Sequence, residues 1–311
     1  MSTVGQLVDL IRREYIYPPG KGLPGAAITN NPLASNGTSI TYADGYLDQS
    51  EKDAIGPGTL IELDTEITVV ATHNATTRTI TVNALDRGFV GTTAAAHVTG
   101  TRFYVNPPVT RKAIFDAVAD AVEQLSGDGL TRIREEAMTS GSAPVEITDG
   151  DCLWPLGFLY PETDMTDTQY LTVPVHLVRS TNLFTSGQGI QFRNVSTGKS
   201  GYLRYKARFP RPTAESDDLS GSSFGVPSRW EKLILLNATA QVLAGVDIKS
   251  MDTEFIENVL AAQGFPTGSG RNIVRHLISV YQLLAASARA DFNAEYGDEA
   301  MMADVFITDG A

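Results

Sequence analysis

At 311 residues the chain is long enough to bury a substantial core, as one large domain or as two or three smaller ones. Its 42% hydrophobic and 19% charged content excludes a disordered chain, and no apolar run approaches the roughly 18 residues of a membrane helix. A net charge of −12 argues against a sequence-specific grip on nucleic acid, which needs Lys and Arg to displace counterions from phosphates.

The first expected element is a helix over 3–15. Val4, Leu7, Val8 and Ile11 share one face, Thr3 and Gln6 fit a capping box, and Pro18 and Pro19 stop it. Residues 20–107 change character. Short β-branched runs at 60–63, 67–71 and 79–84 are punctuated by Gly, Pro, Asn and Thr, the pattern of a small β-module with hairpins. Residues 22–58 are poorer in pattern and read as long loops. Helix returns at 110–126, with Thr110 as cap and Ile114, Ala117, Val118, Ala121, Val122 and Leu125 as its stripe. A second β-rich region follows over 131–212. Its clearest strand is 202–209, where Leu203, Tyr205, Ala207 and Phe209 face one way and Tyr202, Arg204, Lys206 and Arg208 the other. An acidic loop at 213–225 leads to a helix from Ser228, boxed with Glu231, to about 244. A short helix at 253–263 and a long one at 270–296 complete the helices. The tail 298–311 mixes Asp298, Glu299, Asp304 and Asp309 with Met301, Met302, Val305, Phe306 and Ile307.

No amphipathic helix here buries its stripe alone. The expected fold is therefore α+β: a helical body of four to five helices with two inserted β-rich regions. The body would be discontinuous, from 1–19, 108–130 and 226–297. The β-module 20–107 and the β-rich 131–225 would interrupt it, and 298–311 would form an extended acidic-apolar tail.

Each apparent catalytic signature fails on context. Gly221-Ser222-Ser223-Phe224-Gly225 matches G-x-S-x-G, but an acidic loop precedes Ser223 where a nucleophile elbow needs a strand. Gly198-Lys199-Ser200 resembles the end of a P-loop, yet Arg193 stands where glycine is required and a strand follows instead of a helix. His73, His97, His176 and His276 lack metal-ligand spacing, and the lone Cys152 excludes an intramolecular disulfide and suits a reducing cytoplasm. Asp149 and Asp151, like Asp164 and Asp167, read as acidic turns. The N-terminus shows no basic flank before an apolar block, so no secretory signal is expected. The expectation is a non-enzymatic chain with no catalytic residue, cofactor, metal or membrane contact. Arg204, Lys206 and Arg208 form a basic stripe in an acidic chain, which reads as an ordinary solvated face, as a contact for an acidic surface on a neighbouring subunit, or as a contact for phosphate.

The stretch 58–108 carries a resemblance. Its core, RGFVGTTAAAHVTGT at 87–101, resembles a module recurrent in structural proteins of tailed bacteriophages, where a strand bearing an acidic residue, here Glu62 or Glu66, precedes the segment. Gly88 and Gly91 allow a tight turn, and Ala94, Ala95 and Ala96 pack closely. The helices, β insertions and tail look like the head-to-tail connector (adaptor) of long-tailed phages. That resemblance implies a virion protein assembled in the host cytoplasm. It also implies a closed ring of twelve copies beneath the portal, a tail-side neck or stopper protein, and DNA sliding through a like-charged lumen. By resemblance only, portal docking falls to Met301, Met302, Val305, Phe306 and Ile307, and ring packing to the helices at 110–126 and 270–296. Another virion component is the alternative: a tail terminator, baseplate or decoration protein, with Trp154 and Tyr160 available to stack on sugars. A glycan hydrolase would need two carboxylates about 5–10 Å apart in a cleft, and no pair stands out.

Overall fold

The alternation of buried and exposed side chains builds two sheet systems, each with a core of its own. The computed structural model describes residues 2–16, 25–30, 32–161, 170–245, 270–296 and 305–306. The expected helix at 253–263, the stop at Pro18 and Pro19, and the acidic turn at Asp164 and Asp167 lie outside these residues. Two compact units result. One comprises Val4–Val118 and Leu235–Ile278, the other Met1–Thr3, Ala119–Ile234 and Ser279–Ala311.

The first unit is organised by six antiparallel strands: β1 (Gly25–Ala27), β2 (Ser39–Thr41), β3 (Leu60–Leu63), β4 (Glu66–Asn74), β5 (Thr79–Arg87) and β6 (Arg102–Val105). They run in the order β1-β6-β3-β4-β5-β2. The sheet curls until its two edges meet. Ile28 bridges Tyr42, the Thr29 N–H donates to the Thr41 carbonyl (2.7 Å), and the Ala43 N–H donates to that of Ala27 (2.9 Å). Inside lie Ile28, Ile40, Ile61, Leu63, Ile80 and Phe103, removed from water by the hydrophobic effect that drives the curl. The expected loops at 22–58 thus contain β1, β2 and the short helix α2 (Gln49–Ala54). Asp48 and Glu51 cap α2 reciprocally, each side chain accepting the other's N–H at 2.8 Å.

The second unit is a sandwich. Strands β7 (Arg132–Thr139), β9 (Cys152–Pro161), β10 (Tyr170–Val173) and β13 (Ser200–Ala207) form one sheet in the order β10-β9-β13-β7. The facing sheet holds β8 (Val145–Glu146), β11 (Val175–Arg179), β12 (Gln188–Phe192) and β14 (Val305–Phe306), in the order β14-β11-β12-β8. Phe158, Leu203, Tyr205 and Ala207 from the first meet Val175, Leu177, Ile190 and Phe192 from the second. The expected alternation along β13 is observed, and Phe209 is buried just beyond its end. Gly201 has to be glycine, because a Cβ there would stand 2.2 Å from the Leu159 carbonyl oxygen.

The helices are α1 (Val4–Ile11), continued as a π-turn over Arg12–Ile16, then α3 (Arg111–Gly127), α4 (Glu231–Gly245) and α5 (Gly270–Tyr296). Val4, Leu7, Val8 and Ile11 are all buried, as their spacing requires. Thr110 caps α3 by accepting the Ala113 N–H at 3.1 Å. The box expected at Ser228 and Glu231 is not formed. A 3-10 turn at Ser228–Trp230 enters α4 from Pro227 without a side-chain cap, and Glu231 accepts from the Ser2 hydroxyl instead (2.5 Å).

The expected fold class is corrected by this arrangement. Among the described residues helix and strand contribute almost equally, 31% and 32%, so the fold is mixed α and β, with a curled six-stranded antiparallel sheet and further sheets beside the helices. The helical residues are assigned partly to one unit and partly to the other. Glu62 shows the physical reason. From β3 it pairs with Arg12 at the end of α1 (2.7 Å) and accepts the Arg111 N–H at the start of α3 (2.8 Å). These helices are tied to the sheet as well as to each other, since Arg111 of α3 also pairs with Asp9 of α1. Burial pushes the Glu62 carboxyl up, and Arg12 and the Arg111 amide oppose that rise.

Candidate functional site

The residues that carry the phage-module resemblance converge on one buried carboxylate, Glu66 at the start of β4. A two-residue turn at Asp64 and Thr65, with Asp64 in the left-handed region (φ 51°), folds β4 back on β3. That places Glu66 beneath the segment that follows β5. The Arg87 guanidinium holds both carboxylate oxygens, through Nε on Oε1 and through Nη2 on Oε2 (2.8 Å). The Ala95 N–H donates at 3.0 Å and the Gly88 N–H at 3.3 Å. His97 donates from Nε2 to Glu66 at 2.9 Å and from Nδ1 to Asp64 at 3.1 Å. Arg87 also donates to the carbonyls of Gly37 (2.5 Å) and Ala95 (2.8 Å).

A neutral imidazole has one N–H, so two carboxylate partners require the imidazolium. The hydrogen bonds to Asp64 and Glu66 accordingly hold His97 up at about 9, against its burial. Burial pushes Glu66 upward, but Arg87, His97 and the Ala95 amide outweigh it and hold its carboxyl down at about 2. Glu66 and Arg87 are buried with every polar contact supplied by the chain. General acid–base work needs an atom that reaches substrate. What this cluster does is fix the path of the chain.

That path ends in an exposed apolar loop. Gly88 (φ 68°) turns it, and a Cβ there would lie 2.8 Å from the Thr92 carbonyl oxygen. Val90 adopts φ 54°, a conformation β-branched residues avoid, while 63% exposed. Leu85 and Val98 are 96% and 70% exposed, and Phe89 is also exposed.

Comparison with models of protein families, with curated proteins and with solved structures yields no match. No helix among the described residues is long and apolar enough to cross a membrane.

The residues of the basic stripe are placed individually. Arg204 pairs with Glu135 across the β13–β7 ladder (3.1 Å), and the Lys206 ammonium lies 5.1 Å from the centre of the Phe292 ring. Arg208 is exposed in an open cleft of about 700 Å³ that Asp120, Glu123, Asp151 and Arg211 also line. Arg211 pairs there with Asp120 and with Glu123 (3.7 Å). Of the tail residues, Val305 and Phe306 form β14, whose backbone pairs in parallel with Leu177 and Val178 of β11. Met301, Met302 and Ile307 lie outside the described residues.

Ser223 sits in a turn, and its carbonyl accepts from Arg132. Gly198 and Lys199 form the turn into β13, where the Lys199 N–H donates to the Ser140 hydroxyl (3.0 Å). Asp149 is occupied by Arg132 (3.4 Å) and Arg134 (3.8 Å), and it accepts the Asp151 N–H in an Asx-turn (3.1 Å). Tyr160 stacks on Phe158 with ring centres 5.8 Å apart. Among the described residues no His, Cys, Asp and Glu cluster could hold a metal. Sequence reasoning left Glu62 and Glu66 as equals. The turn at Asp64 separates them, sending Glu62 to the helices and Glu66 to the loop.

Proposed function

We propose that this chain is a structural subunit of a tailed-phage particle, in the head-to-tail connector. Twelve copies form a ring beneath the portal, join it to a tail-side neck or stopper protein, and let DNA pass. The observation that carries the reading is the Glu66 cluster. Arg87, Gly88, Ala95 and His97, all within the segment resembling virion modules, are bound to one carboxylate. The charged side chains are thereby committed to architecture, and apolar Phe89, Val90 and Val98 are presented outward. Exposed apolar side chains on a rigid support suit contact with another protein. The long helix α5 adds support, since Leu277, Val280, Tyr281, Leu284 and Ala288 of its stripe are only half-buried. The net charge of −12 fits a lumen along which DNA slides without being held.

Negative-stain microscopy of the purified protein mixed with its portal tests the proposal. Rings decorating the portal are the expected result. A chain that never decorates portal rings overturns it, and localisation to tail tips in disassembled particles would move it to the baseplate alternative.

A further inference from the structure

The edge of the sandwich carries an inference that rests on the reading of an assembling subunit. We infer that β11 is a strand-docking edge, and that in the assembled protein its occupant is the Val305–Phe306 segment of a second copy.

On one side β11 is fully paired. Its five residues face β12 in antiparallel register from Val175↔Phe192 to Arg179↔Gln188. On the other side, among the described residues, its backbone meets β14 through Leu177↔Val305 and Val178↔Phe306. Val175 and Leu177 are anchored in the sandwich core, so β11 cannot twist away to hide that edge. An edge of this kind is a template for an added strand.

The structure shows which segment fits it, and in which direction. A parallel partner cannot come from a hairpin and has to be delivered by a separate stretch of chain. Here that stretch is Val305–Phe306, which follows α5 in the chain. Among the described residues the pairing has two rungs, and each backbone hydrogen bond replaces one with water and adds little net stability. A pairing so short opens readily. The same residues of a neighbouring copy can take the identical register and form the same two rungs. That is the condition for strand exchange. A ring also requires two different surfaces per copy, one that gives and one that receives. The tail gives and the β11 edge receives.

Cysteine pairing separates exchange from pairing within one chain. The native Cys152 does not compete, because it is buried and burial pushes its thiol up to about 12. Full-length Val178→Cys and Phe306→Cys chains are coexpressed, assembled with the portal and oxidised. A bridge between the two variants can only be intermolecular. The expected result is a shift to a dimer band containing one chain of each, lost on reduction and absent when either variant is oxidised alone. The double variant is expected to give a ladder of multimers. Internally bridged monomers from the double variant, or no bridge in either experiment, overturn the inference. Microscopy of the wild-type protein run alongside keeps the two readings distinct. Portal-bound rings without intermolecular bridges refute exchange and leave the connector reading intact, whereas absent rings refute that reading too.

Discussion

At the residue scale the molecule turns on a single carboxylate. Glu66 neutralises both Arg87 and His97 inside the unit built on the curled sheet. Replacing it by Gln leaves buried Arg87 without a counter-charge and His97 with Asp64 alone, and breaking such a network costs about 3–5 kcal/mol. Urea unfolding of Glu66→Gln is expected to show a loss of that size, and an unchanged midpoint would contradict the assignment. The pH dependence has two limbs of opposite sign. His97 is raised from 6.5 to about 9, so its contribution is complete below 6.5 and is lost as the pH rises through about 9. Glu66 is lowered from 4.5 to about 2, so its contribution is complete above 4.5 and is lost as the pH falls through about 2. Denaturation midpoints measured from about pH 2 to 10 are expected to show both limbs, and His97→Gln to remove the alkaline one and weaken the acid one, because His97 helps hold the Glu66 carboxyl down. Gly88→Ala forces a Cβ into the Thr92 carbonyl at a positive φ and is expected to cost more than about 1 kcal/mol by the same urea assay. The cluster is hard to read from the sequence because its members are spread from 64 to 97 and meet only through the curled sheet. The RG and AAAH elements of the segment are visible there, but not the carboxylate they serve. That choice depends on a hairpin at Asp64 and Thr65, which lacks the Asn-Gly or Asp-Gly signature of a tight turn.

At the element scale, long patterns are legible and short ones are not. The stripes of α1 and α3 and the alternation of β13 predict their burial correctly, because each repeats its period several times. Strands β1 and β2 have three residues apiece and α2 has six, too few to establish a period within 22–58. The entry to α4 differs from expectation for another reason: Pro227 starts a 3-10 turn, which displaces Ser228 from the cap position. The helices also differ in what they leave open. In α3 the stripe residues Ile114, Val118, Ala121, Val122 and Leu125 are wholly buried within the chain, so α3 offers no apolar stripe to a neighbour. In α5 Leu283 is 73% exposed. Leu283→Glu is expected to change thermal stability by no more than about 0.5 kcal/mol, the usual range for surface positions. The same variant is expected to reduce assembly measured by light scattering. Full assembly by the variant would remove α5 from the interface.

At the scale of the whole molecule, the expectation of a single helical body follows from a sound premise with an open end. A stripe on a helix states that a packing partner is needed, not whether that partner is a helix or a sheet. Glu62, reaching from β3 to Arg12 and Arg111, ties the helix ends to a sheet, while Arg111 also pairs with Asp9 of α1, so both kinds of partner are used. What survives at this scale is the proposal that the chain acts through other copies of itself. The net charge of −12, the outward apolar loop held by the Glu66 cluster and the half-buried stripe of α5 all support it. Native mass spectrometry of the full-length protein, alone and with its portal, tests that proposal most directly. The expected result is a closed assembly of about twelve copies, the form a cyclic ring takes. A chain that remains monomeric at every concentration, with and without portal, would contradict it.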